Sequence, residues 1–174
     1  MTARRFLSIL RDDRGVAAVE FGLMLPFLFA LAVGSAEFLG AYQAQRRLAH
    51  VAATTGDITA QARSVSTADL TDTMNAGQAI IYPFATTSLG QRISSLSANG
   101  AGSITVDWTQ KQNFNGLAPP SVPSGYLLAN ESVIVTEVVY DYHPIFGLFL
   151  PDTIRFSRQA YTRPRLTPKV EKTA

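Results

Sequence analysis

Between Glu20 and Glu37 the chain runs for sixteen residues without a charged side chain. A helix that is apolar all the way round must be buried, either in a large core or in a bilayer. Residues 16–42 would form a helix about 40 Å long, enough to cross a hydrocarbon layer of about 30 Å and end among the headgroups. Hydrophobic residues make up 47% of the 174-residue chain and charged residues 16%, and much of the apolar excess lies in this stretch. The pattern predicts a single-pass anchor followed by a soluble part. A cleaved secretory signal is the competing reading, since small residues occur over 30–36, but the charged segment before the apolar run is long and the helical pattern continues past it. Arg4, Arg5, Arg11 and Arg14 precede the span, whereas Arg46 and Arg47 follow it, so the amino terminus is expected in the cytoplasm.

A carboxylate at the head of a membrane-length helix is costly, about 2.5–3.5 kcal/mol at the centre on insertion scales, so Glu20 either calls for a partner or sits in the cytoplasmic interface and snorkels. Pro26 removes one amide donor and crowds the carbonyl of Gly22; a tolerated kink is expected there. Glu37 with Phe38 reads as an interfacial carboxylate beside an aromatic ring, or as a polar contact with a partner helix. Ala32, Ala36 and Gly40 form a strip of small residues suited to close helix packing.

Beyond the span the helix is expected to continue to about residue 62, with Ala44, Leu48, Val51, Ala52, Thr55, Ile58 and Ala62 on one face. Ser66 and Asp69 match a capping box for a second short helix that ends before Pro83. From Gln91 onward the period becomes that of strands: 92–97 and 103–109 flank the turn sequence Asn99-Gly100-Ala101-Gly102, and 132–142 and 152–162 form two longer strands. Residues 113–125 are rich in Pro, Gly, Asn and Ser and read as a surface loop. The expected fold is α+β: a long amino-terminal helix extending into a domain with a roughly four-stranded antiparallel sheet and a short packed helix. The expected divisions are a leader over 1–15, a transmembrane helix over 16–42, a domain over 43–163 and a flexible tail over 164–174.

There is no cysteine, which excludes disulfides and thiolate chemistry. His50 and His143 are the only histidines, and neither has neighbours spaced like a metal site. Asp141 and His143 share a strand face and read as a satisfied surface pair rather than a catalytic dyad. No nucleophile elbow or phosphate-binding loop is present, so no catalytic residue, metal or cofactor is expected. The formal charge is +2 and falls to zero without residues 1–15. The basic residues near the end, Arg155, Arg158, Arg163, Arg165, Lys169 and Lys172, read as a solvated face, with lipid headgroups or an acidic partner as the alternative; no nucleic-acid partner is expected. Residues 144–151 are mostly apolar and uncharged, and read equally as core or as an exposed patch.

Gly15 followed by Val16-Ala17-Ala18-Val19-Glu20-Phe21, the pair Leu25-Pro26, and Glu37-Phe38 at the far side of the span resemble the TadE/TadG-like family of the tight-adherence (Flp-type) pilus system. Residues 138–144 (Val-Val-Tyr-Asp-Tyr-His-Pro) and 160–165 resemble that family's closing strands. The resemblance implies a minor pilin-like membrane component and, for the TadE branch, trimming by a prepilin peptidase. Carried onto this chain, the processing site is Gly15, Val16, Glu20 and Phe21, with the cut between Gly15 and Val16; glycine there admits close backbone approach. The new Val16 ammonium would lie one helical turn from Glu20, or reach a neighbour's Glu20, and offset the cost of the carboxylate. The implied partners are other pilin-like or Tad assembly proteins, the prepilin peptidase and membrane lipid; helix docking would use Glu20, Ala32, Ala36, Glu37 and Gly40. The implied location is the bacterial inner membrane, with the carboxyl-terminal domain in the periplasm. Two other readings remain open: an uncleaved membrane-anchored scaffold of the same apparatus, and a membrane-anchored periplasmic enzyme or ligand-binding domain.

Overall fold

The computed structural model of the chain describes residues 15–116 and 118–173. The expected leader, with Arg4, Arg5, Arg11 and Arg14, lies outside the described residues apart from Gly15.

Helix α1 spans Val16–Ala60 and carries Pro26 inside it; at 1.5 Å per residue its 45 residues are about 67 Å long. Its two halves differ in what surrounds them. Before Val33 no side chain is buried, whereas from Ala44 onward buried positions recur at 44, 48, 51, 52, 55, 56, 59 and 60, the spacing of one helical face. Ile58, expected on that face, is instead 42% exposed. Gly56 and Thr59 occupy the buried stripe in its place, because α1 approaches the sheet too closely for a large side chain. A Cβ at Gly56 would sit 2.9 Å from Thr136 Oγ1.

Helix α2, Thr67–Ile81, starts where the capping box predicts. The Asp69 amide donates to Ser66 Oγ at 3.1 Å, and the Ser66 amide donates to the Asp69 carboxylate at 2.8 Å. Leu70, Met74, Gly77 and Ile81 form its buried face. Gly77 has a steric reason: a Cβ there would clash with Gln91 Oε1 and meet Val51 at 3.1 Å.

Strands β2 (Leu89–Ala98), β3 (Ile104–Gln112), β4 (Ser132–Tyr142) and β5 (Ile154–Thr162) form an antiparallel sheet in the order β3-β2-β4-β5. The β2–β3 turn is held by Asn99, whose side-chain oxygen accepts from the amides of Ala101 and Ser103. Both helices lie on one face. Ala44, Leu48, Val51 and Ala52 of α1 pack with Ile81, Leu89, Val138, Tyr140 and Tyr142. Leu70 and Met74 of α2 pack with Ile93, Ile134 and Val170.

The opposite sheet face is also covered, which explains why the central strands β2 and β4 are buried nearly throughout. The segment expected as a surface loop, 113–125, crosses this face. Val122, Tyr126 and Leu127 pack on Leu96, Val133 and Val135, and the Phe114 ring lies 4.5 Å from the Arg92 guanidinium. Arg92 in turn pairs with Glu137, directly across the β2–β4 ladder.

The terminal segment corrects the expectation of a flexible tail. Strand β6, Glu171–Lys172, runs parallel to the short β1, Ser64–Val65. Val170 is fully buried, the Trp108 indole donates to its carbonyl at 2.8 Å, and the Arg165 amide donates to the Ala60 carbonyl at the end of α1. Tail residues thereby satisfy groups that the helix end and the sheet edge would leave unpaired.

Candidate functional site: the exposed half of α1 and the loop it holds

The amino-terminal half of α1 is the one described helix long and apolar enough to cross a membrane, and almost none of that stretch is buried. Phe21, Leu23, Met24, Phe27, Phe29 and Leu31 are exposed on several sides of it, as lipid contact requires. At its start Gly15 is the N-cap residue, in right-handed backbone geometry, and apart from adjoining backbone nothing described lies within 4 Å of where its Cβ would be. Folding of the described residues makes no demand for glycine at this position. Glu20 and Phe21 lie exposed one turn further on, and none of the ion pairs among the described residues involves Glu20.

Glu37 is placed quite differently. It is only 2% exposed and is engaged within its own chain. Its Oε1 accepts from the Leu148 amide at 2.9 Å, and its Oε2 accepts from the amides of Phe149 and Leu150 at 3.0 and 3.1 Å. Gly147, with φ +65, supplies a left-handed residue just ahead of these amides, a conformation that costs glycine little. Three successive N–H groups converge on one carboxylate, as in the anion-binding nests of turns. The β4–β5 connection is thereby tied to α1.

The same side of α1 accommodates the domain. Val33, Glu37, Gly40 and Ala44 follow helical spacing. The Phe149 ring lies 3.6 Å from a Cβ built on Gly34, and the Tyr142 hydroxyl lies 2.5 Å from one built on Gly40. Of the small-residue strip, Gly40 is therefore taken up by Tyr142, while Ala32 and Ala36 remain exposed. Burial pushes the Tyr142 phenol above its ordinary pKa, and the nearby Glu37 charge adds to the shift.

His143 and Asp141 are each satisfied separately. His143 Nδ1 lies 2.9 Å from the Asp152 carbonyl and 3.1 Å from Thr153 Oγ1, and Asp141 pairs with Arg155 at 3.5 Å. The hollow beside His143, about 410 Å³, is walled mainly by Phe84, Tyr140, Tyr142, Ile145 and Pro83, which is an apolar lining. The basic residues near the end also have partners: Arg163 with Glu131, Arg165 with Asp57, and Lys169 with Asp107 and Glu171. Lys172 donates to Gln110.

Sequence reasoning missed the bond between Glu37 and the loop. Two signals pointed to it, a lone acid late in the span and an uncharged loop with a central glycine, but they stand 111 residues apart and nothing local links them.

Fold and site together define a protein with one exposed, membrane-length amino-terminal helix that runs on into an α+β domain. Residues 15–57 match the family model described as TadE-like protein. The match begins at Gly15 and ends within α1, so the similarity is confined to the long helix and the sheet lies beyond it. Comparison with curated proteins and comparison with solved structures each return no match.

Proposed function

We propose that the protein is a minor pseudopilin or assembly component of a tight-adherence pilus, anchored in the inner membrane by α1 with its α+β domain in the periplasm. The TadE-like match starting at Gly15 carries this reading. Two structural facts support it: glycine at 15 answers no packing need among the described residues, and Glu20 is exposed on the helix surface, available to an ammonium from outside its own fold. In this reading a prepilin peptidase cuts between Gly15 and Val16. The new Val16 ammonium, its own or a neighbour's, pairs with Glu20 and sets the register of α1 beside other pilin-like helices, Ala32 and Ala36 giving close approach. The protein is a peptidase substrate and docks; it performs no catalysis itself.

Intact mass of the protein isolated from its native membrane tests this. Loss of residues 1–15 is expected, together with accumulation of the full-length chain in the Gly15→Arg variant. A native chain that keeps its leader overturns processing and leaves the uncleaved scaffold of the same apparatus as the reading.

A further inference from the structure

The connection between β4 and β5 presents an apolar tip. Ile145 is 83% and Leu148 66% exposed, and Phe146 and Phe149 are also exposed. Residues 144–151 carry no charge. Among the described residues, this loop and the first half of α1 hold most of the exposed large hydrophobic side chains, and they are continuous: Phe149 packs beside Gly34 and forms one wall of an open apolar groove of about 880 Å³ along Leu31, Phe38 and Tyr42.

Height along the helix places the loop. Gly34 lies 18 residues after Val16 in an unbroken helix, about 27 Å along the axis, against a hydrocarbon thickness of about 30 Å. Counting instead from Glu20 brings Gly34 still further inside. Phe149 therefore sits at the level where hydrocarbon gives way to headgroups. Backbone at that depth must have its donors satisfied by protein, since water is scarce there. Glu37 meets that requirement for three consecutive amides. A carboxylate is otherwise an expensive residue at this depth, and a charged acceptor bonded to three N–H groups is a favourable way to keep one.

We infer that residues 145–149 insert into the membrane leaflet nearest the domain, with Glu37 acting as the acceptor that caps the loop's backbone, so that the domain is held to the bilayer at two points, α1 and this wedge. The ligand is the lipid surface. The inference rests on α1 crossing the membrane and adds to that reading a second membrane contact that sets the tilt and height of the domain.

The absence of native cysteine allows a direct test. The full chain is reconstituted in vesicles of phosphatidylethanolamine and phosphatidylglycerol, with one environment-sensitive fluorophore at Phe146→Cys, Leu148→Cys, Leu28→Cys within α1, or Ser124→Cys on an exposed loop. Probes at 146 and 148 should show blue-shifted emission, resist aqueous iodide as the probe at 28 does, and be quenched by lipids spin-labelled near the headgroup. Iodide quenching at 146 and 148 equal to that at 124, with the probe at 28 protected, overturns the wedge and leaves the anchor standing. A wetted probe at 28 overturns both. Protection of 146 that arises only when other pilus proteins are added assigns the loop to a protein partner and likewise overturns the proposal. In the Glu37→Ala background, iodide access at 146 should rise toward the value at 124 while Trp108 emission stays unchanged, reporting an intact domain; Glu37→Gln, which keeps one acceptor oxygen, should lie between. Unchanged depth in Glu37→Ala removes the capping role.

Discussion

Arg92 and Glu137 form the buried ion pair of the sheet, on the face turned away from the helices. Both are nearly inaccessible, and each has further partners: Arg92 donates to the Ala118 carbonyl and lies over Phe114, and Glu137 accepts from Gln159. Breaking such a pair from one side strands a buried charge, which costs about 3–5 kcal/mol, whereas replacing both members with apolar residues is often neutral. Glu137→Ala should lower the unfolding free energy by about that amount in chemical denaturation. Arg92→Met with Glu137→Leu should recover most of it. Glu20 is the opposite case, an acid exposed on the first half of α1. Glu20→Ala should leave domain stability unchanged while reducing pilus number on the cell surface; normal piliation would remove Glu20 from the docking role.

At the scale of elements, α1 is one continuous helix whose two halves differ in what surrounds them. Its first half has apolar residues on several sides, and its second half has one buried stripe. The carboxyl-terminal segment closes the domain as a structural element. Removing residues 169–174 deletes β6, empties the site of Val170 and leaves the Trp108 indole without its acceptor. The expected loss is about 2–4 kcal/mol from buried apolar area and an unpaired donor. Because Trp108 is the sole tryptophan, a red shift of the native emission should accompany the lower denaturation midpoint. The tail was hard to foresee because Pro164, Pro168 and the charges around them read as loop chemistry, while Val170 has no periodic neighbours that mark it as core.

For the molecule as a whole, stability should fall on the alkaline side. Burial raises the phenol pKa values of Tyr140, Tyr142 and Tyr161, and the Asp107 carboxylate that accepts from Lys169 raises the ammonium. A folded pKa above the unfolded one contributes stability that is fully present below the unfolded value, about 10 for these groups, and is lost as pH rises through the folded value. Asp69 has the opposite sign. Its pKa is lowered chiefly by the Ser66 amide, so its contribution is present above about pH 4 and disappears on acidification. Denaturation midpoints followed across pH should be flat near neutrality and decline above about 10, with a shallower decline in Tyr142→Phe.

Much of this architecture was written locally. The uncharged stretch between Glu20 and Glu37, the Ser66–Asp69 capping box and the Asn99–Gly102 turn each depend on residues a few positions apart, and periodicity and capping chemistry act over that range. Strand order, the loop folded over Arg92, the docking of Val170, the fit of Tyr142 against Gly40 and the capture of the 148–150 amides by Glu37 do not. Each is a meeting of segments far apart in the chain, and its partner exists only once the sheet has set the path of the backbone. Sequence patterning states that an acid in an apolar helix needs hydrogen-bond donors; the folded chain alone decides whether they come from another protein or, as for Glu37, from its own loop.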